Sequence, residues 1–228
     1  MTSRQVNRPR TYDNSGRAAQ ALRTRRRVIA AAHELLLEQG YAATTISQIA
    51  RSAGVSAETV YKAFGSKAAL TKQVYDVALA GDDELVPMRD RPEIQAMLAE
   101  PDPRQKVASY AALARQLGAR LGPLLAVLLG ARATDPDLDA FARTTADERL
   151  AGTTALVGHL ADVGALRRGL DPERARDLLW ALISPELYLL LVVERGWPPE
   201  RYERWLAGAI AAELLDHGHA AAGPTATG

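Results

Sequence analysis

The sequence predicts an all-α protein of about nine helices, an N-terminal three-helix unit followed by a larger helical domain. Three observations carry that prediction. Apolar residues recur at helical spacing between glycine and proline stops. Alternating β-branched runs and Asn-Gly or Asp-Gly hairpin turns are missing, and good helix formers such as alanine, leucine and arginine are abundant. With 228 residues, 47% of them hydrophobic and 24% charged, the chain can bury a core without staples.

In chain order, residues 1–20 read as a basic flexible arm carrying Arg4, Arg8, Arg10 and Arg17. A first helix over about 21–39 aligns Leu22, Ile29, Ala32, Leu36 and Leu37 on one side, and Gly40 stops it. Two short helices follow between Thr44 and Phe64, then one from Ser66 to about Ala80, ended by Gly81. Asp102-Pro103, Asp135-Pro136 and Asp171-Pro172 each open a long helix, with Asp as N-cap and Pro in the first turn, where a missing N–H costs nothing. Gly122-Pro123 reads as a break between two helices, Gly164 as a stop, and Gly196 to Pro199 as one helix end and the next start. Residues 172–195 read as one helix that Pro185 bends near Ala181. The expected division is 1–20 arm, 21–80 DNA-binding domain with its connecting helix, 81–216 ligand-binding and dimerisation domain, and 217–228 disordered tail.

The net charge of +1 hides a split. Residues 1–75 carry 12 Lys and Arg against 4 Asp and Glu, a net of +8, and the remainder is net −7. A basic third joined to an acidic remainder suggests one module that meets a polyanion and another with a different task.

Residues 44–70, TTISQIARSAGVSAETVYKAFGSKAAL, carry the most specific pattern. Ile46, Ile49 and Ala53 form one narrow apolar face; Ala53-Gly54-Val55 is a tight turn; Ser56 caps a second helix whose Val60 and Phe64 face inward. Ala57, Glu58, Tyr61 and Lys62 then point outward, on the second helix of a helix-turn-helix, an element that fits a major groove. Lys62 can donate to a guanine edge or phosphate, and Glu58 can accept from a cytosine amine. Thr45, Tyr61 and Lys67 are placed for phosphates, Lys67 with help from a helix N-terminus. Arg23, Arg25, Arg26 and Arg27 add attraction independent of sequence. A small core hairpin with a solvated basic face would share some of these features, but turn, cap, apolar pair and charge split together favour DNA binding.

Thr44-Thr45, Ile49-Ala50, Ala53-Gly54-Val55-Ser56, Thr59, Tyr61, Phe64, Lys67 and Leu70 make this segment resemble the TetR/AcrR-type transcriptional regulators. The stretch from Asp177 to Trp197 resembles a C-terminal domain common in that family. The resemblance implies a homodimer whose first three helices bind an operator in double-stranded DNA and whose remainder binds a small-molecule inducer. It also implies DNA contacts at Thr45, Ser47, Ala57, Glu58, Thr59, Tyr61, Lys62 and Lys67. Ala63 departs from the family, which often has a polar residue there.

In the acidic part, Leu178, Leu179, Leu182, Ile183, Leu187 to Leu191 and Val192 are apolar around the whole helix circumference, which requires cover on every side. Pairing this helix with the one carrying Tyr202, Trp205, Leu206, Ile210 and Leu214 across a two-fold axis would supply it; a purely internal core helix is the alternative. An apolar ligand pocket is expected among Tyr110, Leu113, Leu117, Leu121, Leu124, Leu128, Phe141, Trp180, Ser184 and Tyr188, with the hydroxyls as polar anchors. Thr145, Glu148 and Arg149 interrupt the neighbouring apolar face and read as a solvated side rather than pocket groups.

Enzyme signatures fail. Cysteine is absent, and His33-Glu34 lacks the second histidine of a zinc-protease helix because position 37 is Leu37. His217 and His219 lack a third ligand, His159 stands alone, and no phosphate-cradling or nucleophile-elbow motif occurs. The expectation is therefore no enzyme, no metal and no cofactor. With no apolar core in residues 1–17 and residues 178–193 interrupted by Ser184, Pro185 and Glu186, a cytoplasmic protein without membrane contact is expected. A repressor released by a small apolar or amphipathic molecule is the reading, with activation as the opposite sign. An all-helical binding protein or enzyme on the same fold, without operator binding, is the alternative.

Overall fold

The computed structural model describes residues 15–82 and 86–216, so Arg4, Arg8, Arg10, His217, His219 and the expected C-terminal tail lie outside the described residues. Ten α-helices occur among the described residues, and no named strand: α1 (Ser15–Ala43), α2 (Ile46–Ser52), α3 (Ala57–Phe64), α4 (Lys67–Ala80), α5 (Pro92–Ala99), α6 (Pro103–Gly130), α7 (Pro136–Asp162), α8 (Pro172–Leu182), α9 (Pro185–Tyr188) and α10 (Pro199–Leu214). The single turn of α9 runs directly into a π-helical stretch, Leu189–Glu194.

The caps explain most helix starts. Asp102 accepts from the Arg104 N–H at 2.9 Å, Asp135 from Asp137 at 2.9 Å, and Asp171 from Arg174 at 3.1 Å, each with Pro at the first helical position. Gly40 breaks α1 internally at φ 79°, and Gly81 ends α4 at φ 83°, backbone conformations that L side chains rarely adopt.

Four sequence expectations are corrected. Helix α1 begins at Ser15, inside the expected arm, and Leu22 and Leu37 are exposed; its buried face is Val28, Ile29, Ala32 and Leu36. Gly122-Pro123 does not separate two helices, because α6 runs continuously through Pro123. Gly122 lacks the Cβ that a following proline ring would strike, and the carbonyl of exposed Ala119, which loses its partner, can meet water. Residues 172–195 are broken rather than bent: α8 stops at Leu182, and Ser184 caps a fresh start with Pro185 at its first position. Finally, α6 has the length and apolarity of a membrane span, which the sequence reading assigned to no segment.

Helix α6 is the axis of the molecule, touching α1 and α4 at one part and α10 and α9 at another. Two apolar cores lie along it. The first joins α1–α4 to Leu121, Leu124, Leu125 and Leu128 of α6 and to Leu138 and Phe141 of α7. The second joins α5, the earlier part of α6, the later part of α7 and α8–α10. The connection between α7 and α8 is tied to the end of α10 by an antiparallel bridge between Leu166 and Leu215, with Arg167 N donating to the Leu214 carbonyl at 2.8 Å.

Candidate DNA interface and regulatory core

The segment from Thr44 to Gly65 is held by local bonds that its residue types dictate. Buried Thr44 donates to the Gly40 carbonyl at 2.7 Å, and Thr45 forms a capping box with Gln48, accepting its N–H at 3.2 Å while the Gln48 side chain accepts from Thr45 N at 2.8 Å. The turn closes through Val55 N donating to the Ala50 carbonyl at 2.9 Å, with Gly54 at φ 63°. Ser56 accepts from Thr59 N at 3.1 Å and starts α3. Val60 is fully buried and Phe64 nearly so, which leaves Glu58, Thr59, Tyr61, Lys62 and Ala63 on the exposed side, with Tyr61 54% exposed.

Thr45 and Ser47 at the start of α2 and Glu58, Thr59, Tyr61 and Lys62 of α3 are all exposed. Thr59 also shares a 2.8 Å hydrogen bond with the Ser56 hydroxyl. Ala57 does not point freely outward as expected: it is half-buried and leans on the first core. Lys67 stands at the start of α4, where its ammonium donates to the Tyr41 carbonyl at 2.9 Å and lies 3.9 Å from the Tyr41 ring centroid, so part of its donor capacity is already used.

Two members of the basic run have structural duties the sequence did not reveal. Arg27 Nε donates to the Ala53 carbonyl at 3.0 Å and Nη2 to the carbonyls of Ala53 and Gly54, the latter at 3.2 Å, so α1 grips the turn between α2 and α3. Arg25 donates to Gln73 and lies 5.1 Å over Phe64. Nothing in local spacing signals either contact, since partners 26 and 48 residues away are set by the fold.

The residues expected to line a ligand pocket divide between the cores. Leu121, Leu124, Leu128 and Phe141 pack with the first, Tyr110 and Tyr188 with the second, and Leu113 and Leu117 are half-buried. Tyr188 meets Tyr202 edge-on at 5.2 Å and presses so closely on α6 that a Cβ at Gly118 would sit 2.4 Å from its ring. Trp180 donates to the Ala146 carbonyl at 3.2 Å, and Ser184 is spent on its cap. An open cleft of about 500 Å³ lies elsewhere, between α1, α4 and α6, lined by Ile29, His33, Val74, Val77, Asp82 and Arg120 among others.

The face of α7 that reads as solvated is divided: Glu148 is exposed, Arg149 half-buried and Thr145 buried. Thr145 is buried and donates to the Phe141 carbonyl at 3.1 Å; Arg149 is half-buried and lies 4.5 Å over the Trp180 ring; Glu148 reaches α4 as a 2.8 Å ion pair with Lys72. Burial works against the Lys72 charge, but hydrogen bonds to Asp76 and Glu148 outweigh it and hold its pKa above the ordinary value. Tyr75 meets Phe141 edge-on at 5.2 Å, and burial, helped by Glu148, pushes its phenol up to about 12. Burial also raises Tyr110 and lowers Arg149.

Comparison with known proteins now decides the family. A profile of the bacterial regulatory proteins, tetR family, matches residues 28–74, which span the later half of α1, all of α2 and α3 and the first half of α4. An uncharacterized HTH-type transcriptional regulator, YdeS of Bacillus subtilis (strain 168), is 32% identical over 171 residues, covering 74% of this chain and 79% of that protein. The chain belongs to the TetR family. It is a TetR-family transcriptional regulator, and its fold is shared with solved members at lower identity. NalD, the secondary repressor of the MexAB-OprM multidrug efflux pump in Pseudomonas aeruginosa, superposes with a TM-score of 0.63 at 21% identity, over 86% of this chain and 98% of that one. The SmeT–triclosan complex gives 0.66 at 20% identity, over 90% and 98%.

Proposed function

We propose that this TetR-family regulator is a dimeric repressor that leaves its operator when a small apolar or amphipathic molecule enters the helical core. One observation carries the DNA half of that reading. Helix α3 buries Val60 and Phe64 and turns Glu58, Tyr61 and Lys62 outward, on the basic third of the chain. Thr45, Ser47 and Thr59 flank that face and Ala57 backs it, while Lys67 keeps two of its three N–H donors for a phosphate.

Dimerisation is supported by apolar surface on the last helices. Leu190 is 45% and Val193 61% exposed in the single chain, beside half-buried Leu187, Leu191 and Trp205. The proposed division places residues 21–80 on DNA and 81–216 on ligand and partner, with the shared first core as the mechanical link between them.

Helix α4 is the lever in this reading. Its start follows α3 through the Gly65-Ser66 cap, and its body is held to α7 by Lys72–Glu148 and Tyr75–Phe141. Ligand that rearranges α6 and α7 shifts α4 and hence the spacing of two recognition helices, which must match about one turn of DNA, ~34–36 Å, or a multiple. The test is selection from a random duplex pool at near-physiological salt, with Tyr61→Ala/Lys62→Ala as control. Enrichment of a palindrome by the wild type alone is expected; no enrichment by a folded wild type would favour a ligand-binding protein without an operator.

A further inference from the structure

Arg149 is out of keeping with its surroundings. It is half-buried on α7, its Nε is sealed from solvent, and that Nε has no hydrogen-bond partner. The Trp180 ring 4.5 Å from its guanidinium offers a π face but no acceptor. Glu186 acts on it electrostatically from α9 without reaching ion-pair distance. By contrast, half-buried Lys72 has Asp76 and Glu148, and half-buried Arg115 has Glu203 at 2.5 Å. A desolvated cation with an orphan donor is costly unless something supplies negative charge and acceptors.

Two buried phenols share its environment. Tyr75 of α4 is 8% exposed and Tyr110 of α6 is 9% exposed, and each feels the Arg149 charge. Neither hydroxyl has a hydrogen-bond partner among the described residues. Tyr75 lies against Phe141 and Arg149 against Trp180, on the contact of α7 with α4 and α8, and Tyr110 of α6 is within electrostatic reach of Arg149. Glu186 and Glu148 act on this cluster electrostatically, and an acceptor at hydrogen-bond distance is the chemistry it lacks.

We propose that the ligand is an organic anion, an apolar acid whose charged end takes the Arg149 guanidinium and the Tyr75 and Tyr110 hydroxyls while its body packs on the neighbouring rings. This deepens the ligand-response reading and rests on it. A cationic molecule would meet repulsion here, and a neutral one would leave the guanidinium unpaired. The position also suits regulation, because Tyr75 belongs to α4 and Glu148, next to Arg149, already holds Lys72 of the same helix. An anion bound between Arg149 and Tyr75 adds a second strut between α7 and the lever.

The test uses two fluorescent probes with one ring system, 8-anilinonaphthalene-1-sulfonate and its neutral counterpart N-phenyl-1-naphthylamine. Each is titrated into the full-length wild type and into Arg149→Met, with thermal melting by circular dichroism as the folding control. The wild type is expected to bind the sulfonate saturably, and Arg149→Met to lose about tenfold or more for the sulfonate alone, the worth of one charge-assisted hydrogen bond. Equal affinities of wild type and Arg149→Met for the sulfonate would overturn the anion assignment while leaving an apolar ligand core intact. Saturable binding of neither probe would overturn the ligand-response reading with it. Should Arg149→Met fail to melt cooperatively, Tyr75→Phe/Tyr110→Phe removes only the hydroxyls and should cost the sulfonate about threefold; an unchanged sulfonate affinity overturns the proposal.

Discussion

Arg27 separates a structural from a DNA-binding role for the basic run on α1. Replacing it with Met keeps the apolar stem and removes the guanidinium fork that grips the Ala53 and Gly54 carbonyls. Gly54 is exposed, so water can replace the lost donor, and the fork's net worth is about 1–2 kcal/mol. In a chain of this size each kcal/mol moves Tm by roughly 2–4 °C, which gives an expected fall of about 2–8 °C in a circular-dichroism melt. The second assay is the salt dependence of DNA binding, where one lost phosphate contact lowers the slope of log K against log salt by about 0.9. Arg27→Met should leave that slope unchanged. A slope reduced by about one with an unaltered Tm would refute the turn-grip account and return Arg27 to the phosphate-binding set.

Three further outcomes follow from packing and charge. Gly118→Ala drives a Cβ to 2.4–2.7 Å from three atoms of the Tyr188 ring, so it should destabilise by about 1–3 kcal/mol; an unchanged melting curve would contradict the α6–α9 contact. A double-mutant cycle with Lys72→Met and Glu148→Gln should give a coupling of about 0.5 kcal/mol between α4 and α7, and zero coupling would remove that pair from the lever. Burial pushes Tyr75 and Tyr202 up to about 12 from 10.0. Their contribution is therefore complete below pH 10 and falls away as pH rises towards 12, by roughly 1.4 kcal/mol per pH unit for each phenol. Absorbance at 295 nm should show these phenols ionising together with alkaline unfolding, and full ionisation in a still-folded protein at pH 11 would contradict their burial.

Local chemistry was readable and tertiary choice was not. Asp102, Asp135 and Asp171 cap their helices as expected because an Asp-Pro pair acts within one turn. The turn at Gly54, the cap at Ser56 and the inward pair Val60 and Phe64 were legible for the same reason. Pro123 and Pro185 misled in opposite directions. A proline after glycine was absorbed into α6, and a proline after a capping serine started a new helix, so the preceding residue decided the outcome.

Assignments that depend on which helix faces which were beyond one-dimensional spacing. Leu121, Leu128 and Phe141 have the periodicity of a pocket wall, yet they pack with α1–α4, and Arg149 looks like one more surface charge until α8 lays Trp180 beneath it. Lys67 opens a helix and so reads as a phosphate holder; its bond to the Tyr41 carbonyl depends on the fold bringing α1 and α4 together.

The central claim is that the exposed face of α3 reads operator DNA. Its most direct test is an anisotropy titration of the selected duplex with the wild type and with Tyr61→Ala/Lys62→Ala, at one fixed salt concentration. Both side chains are exposed, so the melting temperature should not move while affinity falls by about a hundredfold, the worth of two specific contacts. Equal affinity of the two proteins for that duplex would contradict the account.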